Sequence, residues 1–158
     1  MMAETKKKTI EEWQPYELDR HAEELVRKYR DKKNVLNESH KMRMTVAYGL
    51  ERFWGEHLRL KPKPKPEDKY SEKEKIDFNK ASYWQDVWNA LGEIFEPTNI
   101  KIPGLNMTST ETKDIKAVVD DLWKMDISDR RIVLMVLTQL CDALVWWTQR
   151  YKIKENND

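Results

Sequence analysis

Two acid pairs, Glu93-x-x-Glu96 and Glu111-x-x-Asp114, have the spacing in this chain that most suggests a reaction centre. The first pair closes one apolar-periodic segment and the second opens the next. If those segments return antiparallel, four carboxylates converge into the kind of hard oxygen set that Mg²⁺ prefers. A simpler reading competes. Pro97 follows Glu96 directly, and the carbonyls at a helix C-terminus repel carboxylates, whereas a helix N-terminus welcomes them. Glu111 and Asp114 then read as an acid-rich first turn. Other chemistries lack their residues. His21, His40 and His57 are too far apart in sequence for a zinc pair, and none follows a Glu by three positions as di-iron bundles require. Gly49, Gly55, Gly92 and Gly104 are isolated, so no loop can bring successive N–H groups onto a phosphate. Cys141 has Leu137, Leu140, Leu144 and Val145 as helix neighbours. An apolar setting of that kind suppresses the thiolate a nucleophile needs.

The four-carboxylate spacing resembles the Glu-x-x-Glu…Glu-x-x-Asp motif of all-α nucleoside triphosphate pyrophosphatases of the MazG type. The resemblance covers Glu93, Glu96, Glu111 and Asp114 alone. It implies a Mg²⁺-dependent hydrolysis in which these four residues hold the metal, and it stands as the alternative function.

Contact chemistry is better supplied. Lys6–Lys8, the run Arg27, Lys28, Arg30, Lys32 and Lys33, and Lys61, Lys63 and Lys65 are the densest basic stretches. Arg52 and Arg59 are seven apart, so they share a helix face, with Glu56 between them. Near the end of the chain, Trp146, Trp147, Arg150, Tyr151 and Lys152 interleave aromatic and basic groups. Cations neutralise backbone phosphates and an exposed ring can stack on a base; the same residues also suit a protein hot spot. Trp146 and Trp147 point about 100° apart on a helix, so one indole faces outward unless the helix is wrapped on two sides. The predicted contact residues are Arg52, Arg59, Trp147, Arg150 and Lys152. The run Ala143–Tyr151 is faintly similar to the C-terminal helix of small helical subunits in type III CRISPR complexes. That likeness spans nine residues of common helix chemistry and carries no assignment.

The elements that position these groups are helical throughout. Leu18, Ala22, Leu25, Val26 and Tyr29 form one stripe over 16–32. A second helix is predicted from Glu38 to Leu60, with Gly49 and Gly55 inside it at a cost of about 0.8–1.0 kcal/mol each. Lys61-Pro62-Lys63-Pro64-Lys65-Pro66 cannot continue a helix and predicts an exposed spacer over 61–70. Ser71 with Glu74 and Thr108 with Glu111 are candidate capping boxes, as is Thr9 with Glu12. The third helix ends before Pro97. Residues 97–110 predict an ordered loop, because Ile100, Ile102, Leu105 and Met107 are too apolar to dangle. A fourth helix runs to about Asp126. The fifth is apolar on nearly all sides from Ile132 to Trp147, and a helix like that is normally enclosed by others.

Composition narrows the class. The chain has 158 residues, 36% of them charged, with a net charge of +1. Residues 1–80 carry an excess of four positive charges and 81–158 an excess of three negative ones. Seven Trp, six Tyr and three Phe argue against disorder. One Cys and a start without an apolar leader predict a reducing, cytoplasmic setting. Thr138, Gln139 and Asp142 interrupt the C-terminal apolar stretch, so it is read as a core helix and no membrane partner is expected. The fold expected is all-α: about five helices packed around an apolar C-terminal helix, in one domain spanning 1–158 with a basic extension at about 1–9. The function expected is that of a non-enzymatic interaction subunit with no cofactor. Its partner is another protein or a second copy of the chain, with a nucleic-acid backbone as the second candidate.

Overall fold

The computed structural model describes residues 15–153, which form six α-helices and their connections: α1 (Pro15–Tyr29), α2 (Glu38–Thr45), α3 (Leu50–Leu60), α4 (Glu72–Phe95), α5 (Thr112–Lys124) and α6 (Ile127–Tyr151). Among the described residues there is no strand, so the fold is all-α. The basic extension of 1–9 and the Thr9/Glu12 capping box lie outside the described residues.

The helix expected from Glu38 to Leu60 is two helices. α2 tightens into a 3-10 turn at Val46–Tyr48, and the chain breaks at Gly49 with φ +106° and ψ 169°. A side chain is strained at that φ, so the glycine that would weaken a continuous helix instead lets the chain leave it. α3 then starts afresh at Leu50. Ser71 and Glu74 cap α4 reciprocally, each side chain bonding the other's backbone N–H at 3.1 and 3.0 Å. The box expected from Thr108 does not form. Ser109 serves there: its Oγ accepts from the Glu111 N–H at 3.1 Å and donates to Asp114 at 2.5 Å.

One continuous core joins both sides of the proline segment. Val26 and Tyr29 of α1 and Phe53 and Trp54 of α3 share it with Trp84, Trp88 and Leu91 of α4 and with Leu137, Leu140 and Leu144 of α6. The proline segment is itself held down. Lys65 pairs with Glu74 at 2.6 Å, its backbone N–H donates to Tyr70 at 2.9 Å, and Lys61 reaches the Thr108 carbonyl at 3.4 Å. The 97–110 loop is ordered by indoles from below: Trp88 donates to the Pro103 carbonyl at 2.8 Å and Trp54 to that of Gly104 at 3.3 Å. Gly104 has φ +77°, and a Cβ there would lie 2.6 Å from the Trp54 Nε1. Close approach and backbone hand both call for glycine.

A polar layer crosses the interior where α2 meets α4 and α6. Glu38 and Ser39 are both fully buried. Glu38 Oε1 accepts from the Trp84 indole at 3.0 Å. Ser39 Oγ shares hydrogen bonds with the Tyr83 and Thr148 hydroxyls, each at 2.6 Å. The second Glu38 oxygen has Lys41 Nζ at 3.2 Å without hydrogen-bond alignment, and Lys80 Nζ at 3.9 Å.

α6 lies along α1 and α2 and touches α4. By length and composition alone it is also long and apolar enough to cross a membrane. Within its most apolar stretch only 39% is buried, so the helix is not enclosed on every side. Ile127, Arg131, Met135, Gln139, Asp142 and Trp146 form an outward stripe.

Replacing Trp84 with Phe removes the donor to a buried carboxylate oxygen. An unsatisfied buried acceptor costs about 1–3 kcal/mol, and urea unfolding of Trp84→Phe is expected to show at least that loss.

Candidate functional site

Arg52 and the group Trp147, Arg150 and Lys152 fall at two ends of the molecule. Arg52 lies on α3, one residue after Glu51, which pairs with Arg130 at 3.2 Å near the start of α6. Lys152 follows α6 and donates to the Asn37 side chain at 2.5 Å. Arg130 and Lys152 are 22 residues apart in sequence, so at 1.5 Å per residue these ends are roughly 30 Å apart. Arg52 is therefore not brought together with Trp147, Arg150 and Lys152.

At the first end, Arg52 lines an open groove of about 330 Å³ with Thr45, Tyr48, Glu51, Gly55 and Glu56. Nothing lies within 4 Å of where a Cβ on Gly55 would sit, which keeps the groove floor low. Arg59 is committed elsewhere: its guanidinium donates two hydrogen bonds to Glu56 Oε2, at 3.0 and 2.8 Å. Those bonds raise its pKa and fix its charge in place. Tyr48 in this groove is one of several large apolar side chains left exposed. Met44 and Tyr48 are 71% and 69% exposed, and Trp123 and Ile127 are 62% and 67% exposed. The Glu51–Arg130 ion pair ties the α2–α3 break carrying the first two to the α5–α6 corner carrying the others. A signal for Trp123 was present. It adjoins Leu122, about 100° away around the helix, and Leu122 is the fully buried one of the two.

At the second end, α6 stops against the connection between α1 and α2. Arg30 donates to the Tyr151 carbonyl at 2.8 Å and lies over the Tyr151 ring at 5.7 Å. Tyr151 in turn donates to Glu23 at 2.8 Å. Arg27 and then Tyr151 hold the Glu23 carboxyl below the usual range by hydrogen bonding. The outward indole here is Trp146, 47% exposed, and not the predicted Trp147. Trp147 is only half-buried, but its Nε1 is enclosed without a partner and its ring packs on Tyr151 at 5.6 Å. The Arg150 guanidinium lies 3.9 Å from the Trp146 ring centroid. The predicted Arg150 and Lys152 are exposed, and neither has an acidic partner among the described residues.

The four candidate carboxylates stay apart. Glu93 is exposed, 3.8 Å from His21 Nδ1. Glu96 is exposed beyond the end of α4. Glu111 lies near Lys113 at 3.7 Å, while Asp114 is held by Ser109. Among the described residues no three His, Cys, Asp or Glu side chains gather closely enough to hold a metal ion. Cys141 is fully buried, and burial pushes its thiol well above the ordinary value. His57 is packed against Trp54, with Nδ1–H donating to the Trp54 carbonyl at 2.6 Å.

Compared with known proteins, the chain matches no family model, no curated protein and no solved structure.

Burial, the largest influence, holds the His57 pKa below its ordinary value. The unfolded chain therefore takes up the proton first as pH falls below about 6.5, and stability present above that value is lost progressively toward the folded-state pKa. The thermal midpoint is expected to drop between pH ~7.5 and ~5.5, and the drop should be shallower in His57→Phe.

Proposed function

We propose that this protein is a non-enzymatic helical interaction subunit that binds a partner protein at the end carrying Met44, Tyr48, Trp123 and Ile127. One observation carries the reading: Met44, Tyr48, Trp123 and Ile127 are large apolar side chains each about two-thirds exposed, and Tyr48 lines the groove in front of Arg52. Scattered exposed apolar residues are ordinary, but a rimmed group of this kind is typical of a binding surface. Tyr and Trp are the residues that most often anchor such contacts. Glu51, Glu56, Arg52 and Arg130 supply a charged rim, which favours register and orientation more than raw affinity. The near-balanced net charge of +1 gives no general pull toward any polyanion, so specificity rests on local shape. A protein of this kind does its work by placing other components, and it needs no cofactor.

The test is a paired substitution on the exposed corner, Trp123→Asp with Ile127→Asp, in chain purified from its native source with its associated protein. Neither side chain is buried, so the thermal midpoint is expected to stay within about 0.5 kcal/mol-equivalent of the parent. Co-purification of the partner is expected to fall at least ten-fold, the scale of a single hot-spot loss. Retention of the partner at parental stoichiometry overturns the reading.

A further inference from the structure

We propose that the opposite end of the molecule, where α6 stops against the α1–α2 connection, binds single-stranded nucleic acid. The proposal is independent of the protein-binding end. Arg30, Lys32, Lys33, Arg150 and Lys152 come from two stretches more than a hundred residues apart in sequence. The fold gathers them: the connection is fastened to α6 at both its ends, by Arg30 to the Tyr151 carbonyl and by Asn37 to Lys152. Val35 and Leu36 are buried beneath it. Lys32 and Lys33 therefore stand on a clamped loop, both exposed and neither in an ion pair with a described residue.

Charge that would cancel the patch is occupied elsewhere. Glu23 is bound by Arg27 and Tyr151, and Asp142 by Arg43 at 2.6 Å. Asp31 is the one exposed carboxylate on the loop. Part of the cationic charge also serves α6 itself, whose C-terminal dipole attracts it. That accounts for Arg30, but not for Lys32 and Lys33.

Trp146 supplies the second half of the site. The Arg150 guanidinium lies over its half-exposed ring at 3.9 Å and Trp147 meets that ring in a T-shaped contact at 4.8 Å; unpaired bases stack on guanidinium planes and aromatic rings of this kind. A duplex offers its phosphates to such a patch but keeps its bases inside, so a single strand gains both contacts. An anionic bilayer is a poorer fit. Trp146 could enter the acyl boundary only by taking the guanidinium lying on it out of water, which is costly.

The experiment is fluorescence anisotropy of the full chain with a labelled oligouridylate of about 15 nucleotides, its matched duplex, and phosphatidylserine vesicles as competitor. If four phosphates are neutralised at a slope of about 0.7 each, affinity for the single strand falls about fifty-fold between ~50 and ~200 mM salt. Lys32→Glu with Lys33→Glu is expected to weaken binding at least ten-fold, while Lys101→Glu, on the distant 97–110 loop, leaves it unchanged. Trp146→Ala is expected to lose at least about five-fold. Trp146→Phe, which keeps a ring and guards against a simple folding defect, restores most of that. Three results overturn the proposal: parental affinity in the double lysine variant, equal binding of duplex and single strand with no effect of Trp146→Ala, or capture by vesicles with no oligonucleotide binding.

Discussion

A carboxylate side chain enters the interior at the first turn of α2, and the surrounding helices are arranged so that it is not abandoned there. Glu38 is fully enclosed, with the Trp84 indole on one oxygen and two lysine ammonium groups near the other. The adjacent Ser39 hydroxyl is shared with Tyr83 and Thr148. Two neighbouring residues thus bind α2 to α4 and to α6 at once. A buried polar pair costs more than it returns unless its partners are all in place. The arrangement therefore specifies a single register for three helices more than it adds stability. α2 needs such a device: it has only eight residues, too few for helix propensity to hold it alone.

The position of α2 decides what the rest of the molecule displays. With α1 and α2 laid along one side of α6, the other side of that helix remains uncovered. The chain breaks at Gly49 before α3, and Tyr48 and Arg52 on either side of that break line the groove. At the far end the same packing brings the α1–α2 connection against the last turn of α6. There Arg30 meets the Tyr151 carbonyl and Lys152 meets Asn37, so cations from two remote stretches of sequence come to one end. The two ends differ in chemistry because different neighbours were available: an apolar corner between α5 and α6, and a basic loop between α1 and α2.

Much of this was legible along the chain. Periodic apolar residues marked α1, α4, α5 and α6, and the Ser71/Glu74 pair marked the start of α4. The apolar residues of 97–110 correctly implied an ordered loop, since an exposed loop with Ile102 in it would waste burial. Reading failed where two neighbours compete for one core position. Of Trp146 and Trp147, and of Leu122 and Trp123, spacing alone predicts only that one member of each pair turns out. It also failed at Gly49, where a helix interior and a helix break look alike until φ is known. The carboxylate spacing at 93–114 suggested convergence, but Ser109 and Lys113 engage the second pair locally while the first pair faces solvent.

The sequence by itself determined that this protein is helical, where most helices run, and which residues are charged, because local periodicity and proline placement depend only on near neighbours. Tertiary structure alone decided which aromatic faces outward, which cations keep an uncancelled charge, and that Arg52 and Arg150 belong to opposite ends. Those outcomes depend on pairings such as Arg30 with Tyr151 and Glu51 with Arg130. The partners lie 121 and 79 positions apart, and no spacing rule reaches that far. Burial and charge pairing are properties of the assembled surface, set only when distant segments meet.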